Sequence, residues 1–218
     1  MTVLYRLDIP AAAIADSFGA ASADDPWAGG HIAPGGFAPV LTAGRECISG
    51  PRTSRGPLRM TPRLWGVPPP PNVPYDGRNA VLSVRNPDSP FWIGNLRNSE
   101  FRCLIPSTAF MEWSSGTDAK GRRRQLWFAP ADQPVFAIAG LWKDSEVPSF
   151  AILTCPASAA LRAEGRERMP VILPPSAAAH DMWLYADWRR ARALLEPYPS
   201  SLMRCSESPN PDRKRTEK

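Results

Sequence analysis

Proline is the residue that most limits what this chain can fold into, because 26 of its 218 residues are prolines. Proline lacks a backbone N–H and has a fixed φ, so it interrupts helices and is excluded from the middle of long strands. The four consecutive prolines Pro68–Pro71 predict a stiff polyproline II segment. The composition therefore favours short strands joined by rigid turns over long helices.

Apolar runs predict where the strands lie. Val135–Trp142 is almost continuously apolar and predicts a central strand, with Ser149–Thr154 as its neighbour. Ala109–Trp113 and Gln125–Phe128 predict a hairpin, and the polar tip Ser114–Arg124 between them ends in three arginines. Other short strands are predicted at Ala38–Leu41, Arg63–Val67, Val81–Arg85, Arg102–Pro106 and Met169–Leu173.

Short helices are predicted around these strands. Pro10–Gly19 has proline at its start, Ile14 and Phe18 at i,i+4 spacing, and glycine as a stop signal. A weak helical turn is predicted at Phe91–Leu96, and helices are predicted at Ser158–Glu164, Pro175–Trp183 and Trp188–Glu196. We expect an α+β fold, a single domain around a curved, barrel-like, mostly antiparallel sheet with peripheral helices.

The remaining segments are predicted to be irregular. His31–Gly35 predicts a turn, and Arg45–Gly56 predicts a loop with weak strand character. From Ser206 to Lys218 the chain has no apolar residue other than proline, so we expect a disordered basic tail there. The folded domain is accordingly expected to cover residues 1–205.

The overall composition is that of a soluble protein, with 43% hydrophobic and 22% charged residues. No apolar run approaches the roughly 18–20 residues that cross a bilayer, and the N-terminus lacks the features of a signal peptide. We therefore expect a cytoplasmic monomer without membrane association. The formal net charge of +5, carried mainly by arginine, is compatible with a phosphate-bearing partner such as nucleic acid.

Metal and cofactor sites are not indicated by the sequence. The cysteines are about fifty residues apart, form no CxxC pair, and are accompanied by only two histidines: Cys47, Cys103, Cys155, Cys205, His31 and His180. Zinc sites require closely spaced ligands, so we expect no metal and no cofactor, and we expect the thiols to be buried.

One carboxylate has the sequence environment of a catalytic group. Glu112 lies between bulky side chains in Phe110–Trp113. A carboxylate at the edge of an aromatic pocket is desolvated, which makes it a plausible acid or base. The alternative is an ordinary carboxylate at the edge of a strand, solvated or paired with an arginine.

Eight segments in order resemble one known family, the SOS response-associated peptidase (SRAP) family of abasic-site processing proteins. Each segment is generic alone, but the ordered set is specific and spans roughly residues 1–200. The segments are Ala33–Gly35, Leu64–Gly66, Val84–Arg85, Arg102–Pro106, Phe110–Trp113, Phe136–Trp142, Ile152–Thr154 and Arg168–Leu173.

The resemblance implies a protein that binds single-stranded DNA carrying an abasic site. In the family, a cysteine exposed at residue 2 forms an imine with the sugar aldehyde through its amine and then closes a stable thiazolidine through its thiolate. A glutamate and a histidine transfer protons, while an asparagine and arginines hold phosphates. The peptidase name reflects removal of the residues that precede the cysteine.

Several of these family residues are replaced in this chain. Thr2 stands at the position of the cysteine, and Ser83 at that of the asparagine in the segment that keeps Arg85. Glu112 is retained. The position of the family's histidine is occupied here by Arg166, or by Gly165 if the loop differs by one residue. The family has a further asparagine before the Ala-Pro-Gly segment, and His31 stands at that position. A thiazolidine cannot form without sulfur, and a threonine hydroxyl is a far poorer nucleophile than a thiolate.

The catalytic candidates Thr2, Glu112 and Arg166 each have an alternative interpretation. Thr2 either has no role or, after loss of Met1, provides an α-amine that forms a reversible imine. Glu112 lacks its histidine partner, which weakens a proton-transfer role. Arg166 either replaces the histidine with a phosphate contact or has only a structural role.

The DNA-binding candidates are Arg85, Ser83, Trp65 and His31. Arg85 is expected to bind phosphate rather than form a structural salt bridge. Trp65, beside the polyproline segment, is the favoured aromatic for stacking on an exposed base, although most such aromatics belong to the core. His31 is expected to be a turn residue with local hydrogen bonds.

Two functions follow from these observations. The first is an abasic-site processing enzyme of the SRAP type with altered or weakened chemistry, in which stable thiazolidine crosslinking is lost. The second is a non-catalytic module that binds single-stranded DNA or protein partners. Retention of Glu112, Arg85 and the scaffold favours the first, and loss of the cysteine, histidine and asparagine favours the second.

Overall fold

The computed structural model describes residues 4–21, 25–43, 57–76 and 78–207. The strands are β1 (Tyr5–Leu7), β2 (Ala20–Ala21), β3 (Gly30–Ile32), β4 (Phe37–Thr42), β5 (Leu58–Trp65), β6 (Ser83–Val84), β7 (Arg102–Ser107), β8 (Ala109–Thr117), β9 (Arg123–Pro130), β10 (Phe136–Lys143), β11 (Ser149–Pro156), β12 (Arg168–Pro170) and β13 (Met203–Glu207).

The helices are short. The α-helices are α1 (Ala11–Phe18), α2 (Pro90–Arg97), α3 (Ala159–Ala163), α4 (Ala177–Tyr185) and α5 (Trp188–Ala191). Single 3₁₀ turns cover Ser99–Phe101, Arg192–Leu194 and Ser200–Leu202. α1 ends at Gly19, which adopts the left-handed conformation (φ 61°) that favours glycine. Among the described residues, no helix is long and apolar enough to span a membrane.

The larger sheet is partly closed. Within the described residues its strands follow the order β12-β11-β10-β7-β4-β5-β2, with β6 added alongside β11. Because β11 also pairs in parallel with β5, strands β11, β10, β7, β4 and β5 form a ring. Gly140 allows β7 and β10 to pack closely, since a Cβ there would lie only 2.6 Å from Ile105 and 2.7 Å from Cys103 Sγ.

The smaller sheet contains five strands of the described chain, in the order β13-β9-β8-β1-β3, all antiparallel. Its inner face packs on the ring through aromatic residues. Tyr5 meets Trp65 edge to face at 5.3 Å, and Trp65 stacks on Phe150. β7 and β8 are separated only by Thr108 but belong to different sheets, so this short connection joins the two halves of the core.

The predicted fold class is confirmed: the chain is an α+β domain with curved, mostly antiparallel sheets and peripheral helices. The strand pair β10–β11, the hairpin β8–β9 and helix α1 lie where the sequence predicts them. Segment Phe91–Leu96 is a full helix, α2. The predicted helix Trp188–Glu196 is shorter, ends at Ala191 and continues as a 3₁₀ turn.

Two predictions about irregular segments need correction. His31 does not lie in a turn but in strand β3, directly opposite Arg6 of β1, and the turn begins at Ala33, whose carbonyl accepts a bond from Gly36. Ser206 and Glu207, expected in the tail, continue strand β13 along β9. Three-residue and charged strands lack the apolar periodicity that sequence prediction uses. The predicted loop Arg45–Gly56 and residues 208–218 lie outside the described residues.

Candidate functional site

A cavity of about 230 Å³ opens between strands β6, β11 and β12. Three arginines line it together with two hydroxyl side chains and an apolar floor, and we call it the arginine cavity. Its lining residues are Trp65, Leu82, Ser83, Arg85, Ile152, Thr154, Gly165, Arg166, Glu167, Arg168 and Met169.

A hydrogen-bond network fixes the Ser83–Arg85 wall of the cavity. β6 pairs in parallel with β11, which places Ser83 opposite Ile152. The Thr154 hydroxyl donates to the carbonyl of Val84 at 3.1 Å. Arg168 Nε donates to Thr154 Oγ1 at 2.9 Å, and its Nη2 donates to the carbonyl of Arg85 at 3.0 Å. Arg168 therefore holds the backbone from which the exposed Arg85 side chain projects.

A tight loop forms the opposite wall. Gly165 takes a left-handed conformation (φ 68°), and the Arg166 N–H donates to the carbonyl of Leu161 at 3.0 Å. Arg166 Nε donates to the carbonyl of Glu164 at 3.2 Å. The Glu164 carboxylate accepts a bond from the N–H of Ser115 at 3.0 Å, so the loop is attached to β8.

Glu112 lies behind this wall. Glu112 is only 1% exposed, and its Oε2 atom lies 3.9 Å from Nη1 of Arg166. Burial of a carboxylate is unfavourable unless charge or hydrogen bonds compensate, and Arg166 supplies a positive charge. A guanidinium stays protonated at neutral pH, so Arg166 cannot exchange protons with Glu112 as a histidine could.

The arginine cavity is suited to an anion. Among the described lining residues, Arg85, Arg166 and Arg168 carry positive charges and Glu167 is the one carboxylate, while Glu112 behind the wall offsets the charge of Arg166. Guanidinium groups bind phosphate oxygens bidentately, and Ser83 and Thr154 add hydroxyl groups nearby.

The structure brings most of the predicted site residues together. Ser83, Arg85 and Arg166 line one cavity, and Glu112 lies directly beside Arg166. Thr2 lies outside the described residues. The first described residue is Leu4, whose carbonyl accepts a bond from the N–H of Met111 at 2.9 Å.

Two predicted DNA-binding residues are placed differently from expectation. Trp65 lines the cavity but is only 1% exposed, and its indole N–H donates to the carbonyl of Leu82 at 3.1 Å. The prediction that its ring is available for base stacking is therefore wrong, because Tyr5 and Phe150 cover it. His31 is exposed on β3, contacts the Trp127 ring and is not among the cavity residues.

Arg168 and Thr154 were not predicted as site residues. Arg168 begins the Arg168–Leu173 segment, and its positive charge was the only feature of the sequence that could have indicated a role in the site. Nothing in the sequence indicated such a role for Thr154. The described residues that line the cavity include no cysteine. Burial raises the pKa of the Cys103 thiol to about 12 and that of Cys155 to about 11. Within the described part of the chain, no group of residues is arranged to hold a metal ion.

The model of the SOS response associated peptidase (SRAP) family matches residues 1–209. The chain belongs to this family. Membership supports a DNA-related function associated with the SOS response. No curated protein matches this SRAP chain.

Solved structures of bacterial proteins have the same fold as this SRAP chain. One from Bacteroides thetaiotaomicron is 19% identical with a TM-score of 0.72, covering 95% of this chain and 92% of that one. One from Bordetella bronchiseptica is 22% identical with a TM-score of 0.73, covering 95% and 100%. A phage-related protein from the same organism is 17% identical with a TM-score of 0.66, covering 95% and 94%.

Proposed function

We propose that this SRAP chain binds single-stranded DNA, including strands with an abasic site, in the arginine cavity, and that it does so without forming a stable thiazolidine. The observation that carries this proposal is the convergence of Ser83, Arg85 and Arg166 on one cavity, with Glu112 beside it. The resemblance to the family implies that these positions hold phosphates or transfer protons.

Electrostatics supports the binding part of the proposal. Phosphate neutralisation releases counterions from the nucleic acid, and this supplies most of the non-specific affinity of a DNA-binding protein. Arg85 is exposed, and hydrogen bonds from Arg168 hold its backbone in place. A fixed backbone lowers the cost of placing the Arg85 guanidinium against a phosphate.

The substitutions support the loss of stable crosslinking. Leu4, the first described residue, accepts a bond from the N–H of Met111, next to Glu112. After loss of Met1, the α-amine of Thr2 remains able to form a reversible imine with an aldehyde. Threonine provides no thiolate to close a thiazolidine, and Arg166 provides no proton carrier.

A titration with fluorescent single-stranded DNA at several salt concentrations tests the binding. We expect log K to fall linearly with log salt, and Arg85→Ala to reduce the magnitude of the slope by about 0.7, the value for one lost phosphate contact on a single strand. Arg189→Ala is the matched control, because it removes an equal charge from an exposed position on α5 outside the cavity. Equal effects of the two variants would contradict the proposal.

Incubation with abasic single-stranded DNA, followed by a denaturing gel, tests the chemistry. We expect no adduct without reductant. An adduct that appears only with borohydride would reveal an imine, and its absence would indicate a purely non-covalent binding module. An adduct that survives denaturation without borohydride would disprove the proposed loss of stable crosslinking.

A further inference from the structure

A second cluster of basic and aromatic residues lies away from the arginine cavity, on the outer face of the five-stranded sheet. Arg6 is paired with His31 across β1 and β3, and Met111 is paired with Trp127 across β8 and β9. Successive side chains of a strand point to opposite faces. Arg6 is also paired with Ala109, two residues before Met111 on β8, so Arg6, His31 and Trp127 share the face opposite to that of Glu112.

Two contacts position the Arg6 guanidinium over the sheet. Its central carbon lies 4.2 Å from the centroid of the Trp127 ring, and Nε lies 3.5 Å from Asp8 Oδ2. Asp8 is itself fixed, because the Thr108 hydroxyl donates to its carboxylate and accepts from its N–H, both at 3.2 Å. Trp127 is 3% exposed, so it forms the base of the cluster rather than its surface.

The surface of the cluster is formed by Arg6 and His31. The Arg6 side chain is 30% exposed, and the His31 ring, exposed at the sheet edge, meets Trp127 edge to face at 5.3 Å. The guanidinium carbon lies over the Trp127 ring, and part of the Arg6 side chain remains exposed. Guanidinium planes and histidine rings are both surfaces on which unpaired bases stack.

We infer that Arg6 and His31 form a stacking platform for an unpaired nucleobase, which takes a segment of single-stranded DNA flanking the segment held in the arginine cavity. The inference rests on the proposed function, because the occupant is the same DNA strand. Arg204 adds a phosphate contact on this face. It is opposite Ala129 of β9, two residues from Trp127, and is exposed.

The position of the platform makes its contribution dependent on DNA length. A strand bound in the arginine cavity must pass around the sheet to reach the face opposite Glu112. A short oligonucleotide therefore occupies the cavity alone, whereas a long one reaches both surfaces. This length dependence separates the platform from the cavity experimentally.

The test measures binding of thymidine oligonucleotides of about 5 and about 20 nucleotides, a range that spans the site sizes of compact single-strand binders. The proteins are wild type, Arg6→Lys, His31→Ala, Arg85→Ala and the control Arg189→Ala. Arg6→Lys keeps the charge and removes the planar group. His31→Ala changes an exposed side chain on an edge strand, so it tests the platform even if Arg6→Lys disturbs folding.

We expect Arg6→Lys and His31→Ala to weaken binding of the long oligonucleotide roughly tenfold, as for loss of one stacked base, and to leave the short one unchanged. Arg85→Ala should weaken both. Unchanged affinity of both platform variants for the long oligonucleotide, with a normal effect of Arg85→Ala, overturns the platform and leaves the proposed function intact. Failure of the wild-type protein to bind either oligonucleotide overturns both.

Discussion

The guanidinium of Arg166 lies beside the buried carboxylate of Glu112, with Nη1 3.9 Å from Oε2. One residue comes from the loop before β12 and the other from β8, so the pair connects the cavity wall to the smaller sheet. The resemblance to the family implies a histidine and a glutamate at these positions, which exchange protons. A guanidinium does not give up its proton at neutral pH, so the pair in this chain lacks the proton carrier that a histidine would supply.

Removal of Arg166 is expected to destabilise the fold. Arg166→Met takes away the cation beside a buried carboxylate, and we expect a loss of about 1–3 kcal/mol in the free energy of unfolding. Glu112→Gln in the same protein should recover part of that loss, because a neutral amide no longer needs the cation. Urea unfolding of the wild type, both single variants and the double variant gives the coupling energy. A value within about 0.3 kcal/mol of zero would mean that the pair does not contribute to stability.

Replacement of Arg168 by lysine is expected to weaken DNA binding although the charge is kept. Lysine cannot donate simultaneously to the Thr154 hydroxyl and to the carbonyl of Arg85 as the planar guanidinium does. We expect about fivefold weaker binding, the equivalent of roughly 1 kcal/mol for displaced hydrogen bonds. Arg189→Lys, made at an exposed position outside the cavity, should have no effect. Equal affinities of Arg168→Lys and the wild type would show that the network does not position Arg85.

Restoration of the family's sulfur and histidine is expected to restore covalent capture. Thr2→Cys/Arg166→His should give an adduct with abasic single-stranded DNA that survives a denaturing gel without borohydride, because the thiolate can close the thiazolidine. Thr2→Ser/Arg166→His is the matched control, since it differs from the first variant only in the sulfur. Mass spectrometry must show loss of Met1 in both proteins. If Thr2→Cys/Arg166→His has a free N-terminal cysteine and still forms no adduct, the scaffold no longer supports this chemistry.

Long apolar runs made the core of the fold predictable. The run that became β10 is buried over nearly its whole length, and its neighbour β11 and the hairpin β8–β9 carry the same signal. Strands β1 and β3 have only three residues each, too few for any periodicity to appear. Their pairing is determined by tertiary packing, which is why His31 lies in a strand although the sequence predicts a turn.

The contacts of the candidate site could not be predicted from the sequence. The order of the family segments suggested Ser83, Arg85, Glu112 and Arg166, whose roles stay predictions, but no local pattern indicates that Arg166 meets Glu112 across the fold. Burial of Trp65 was equally hidden, because the residues that cover it come from β1 and β11. An aromatic residue in a strand has the same local sequence signal whether it is exposed or covered by other elements.

Thiol reactivity is expected to differ sharply among the three cysteines that the structure describes. Cys103 and Cys155 are buried, and burial raises their pKa values to about 12 and about 11, so they carry almost no thiolate at neutral pH. Partial burial also raises the pKa of the Cys205 thiol, but Cys205 is exposed on β13, so a reagent can reach it. Cys205→Ser should therefore lower the number of thiols that react rapidly with a disulfide reagent by one, whereas Cys103→Ser should leave it unchanged. Rapid labelling of Cys103 in the folded protein would contradict the closed packing of the ring.

Stability is expected to decrease on mild acidification because of His180. The His180 ring packs against Phe18, and its burial lowers the pKa of the imidazole below the ordinary value of 6.5. The nearby Asp181 carboxylate raises this pKa, but by less than burial lowers it. Below pH 6.5 the His180 side chain is protonated in the unfolded chain but stays neutral in the folded protein. The folded protein therefore loses stability as the pH falls from 6.5 toward the lower pKa of His180 in the folded state. His180→Gln should reduce this dependence. Urea unfolding at pH 7.5, 6.5 and 5.5 measures it, and an identical pH dependence of the variant and the wild type would assign the effect to other groups.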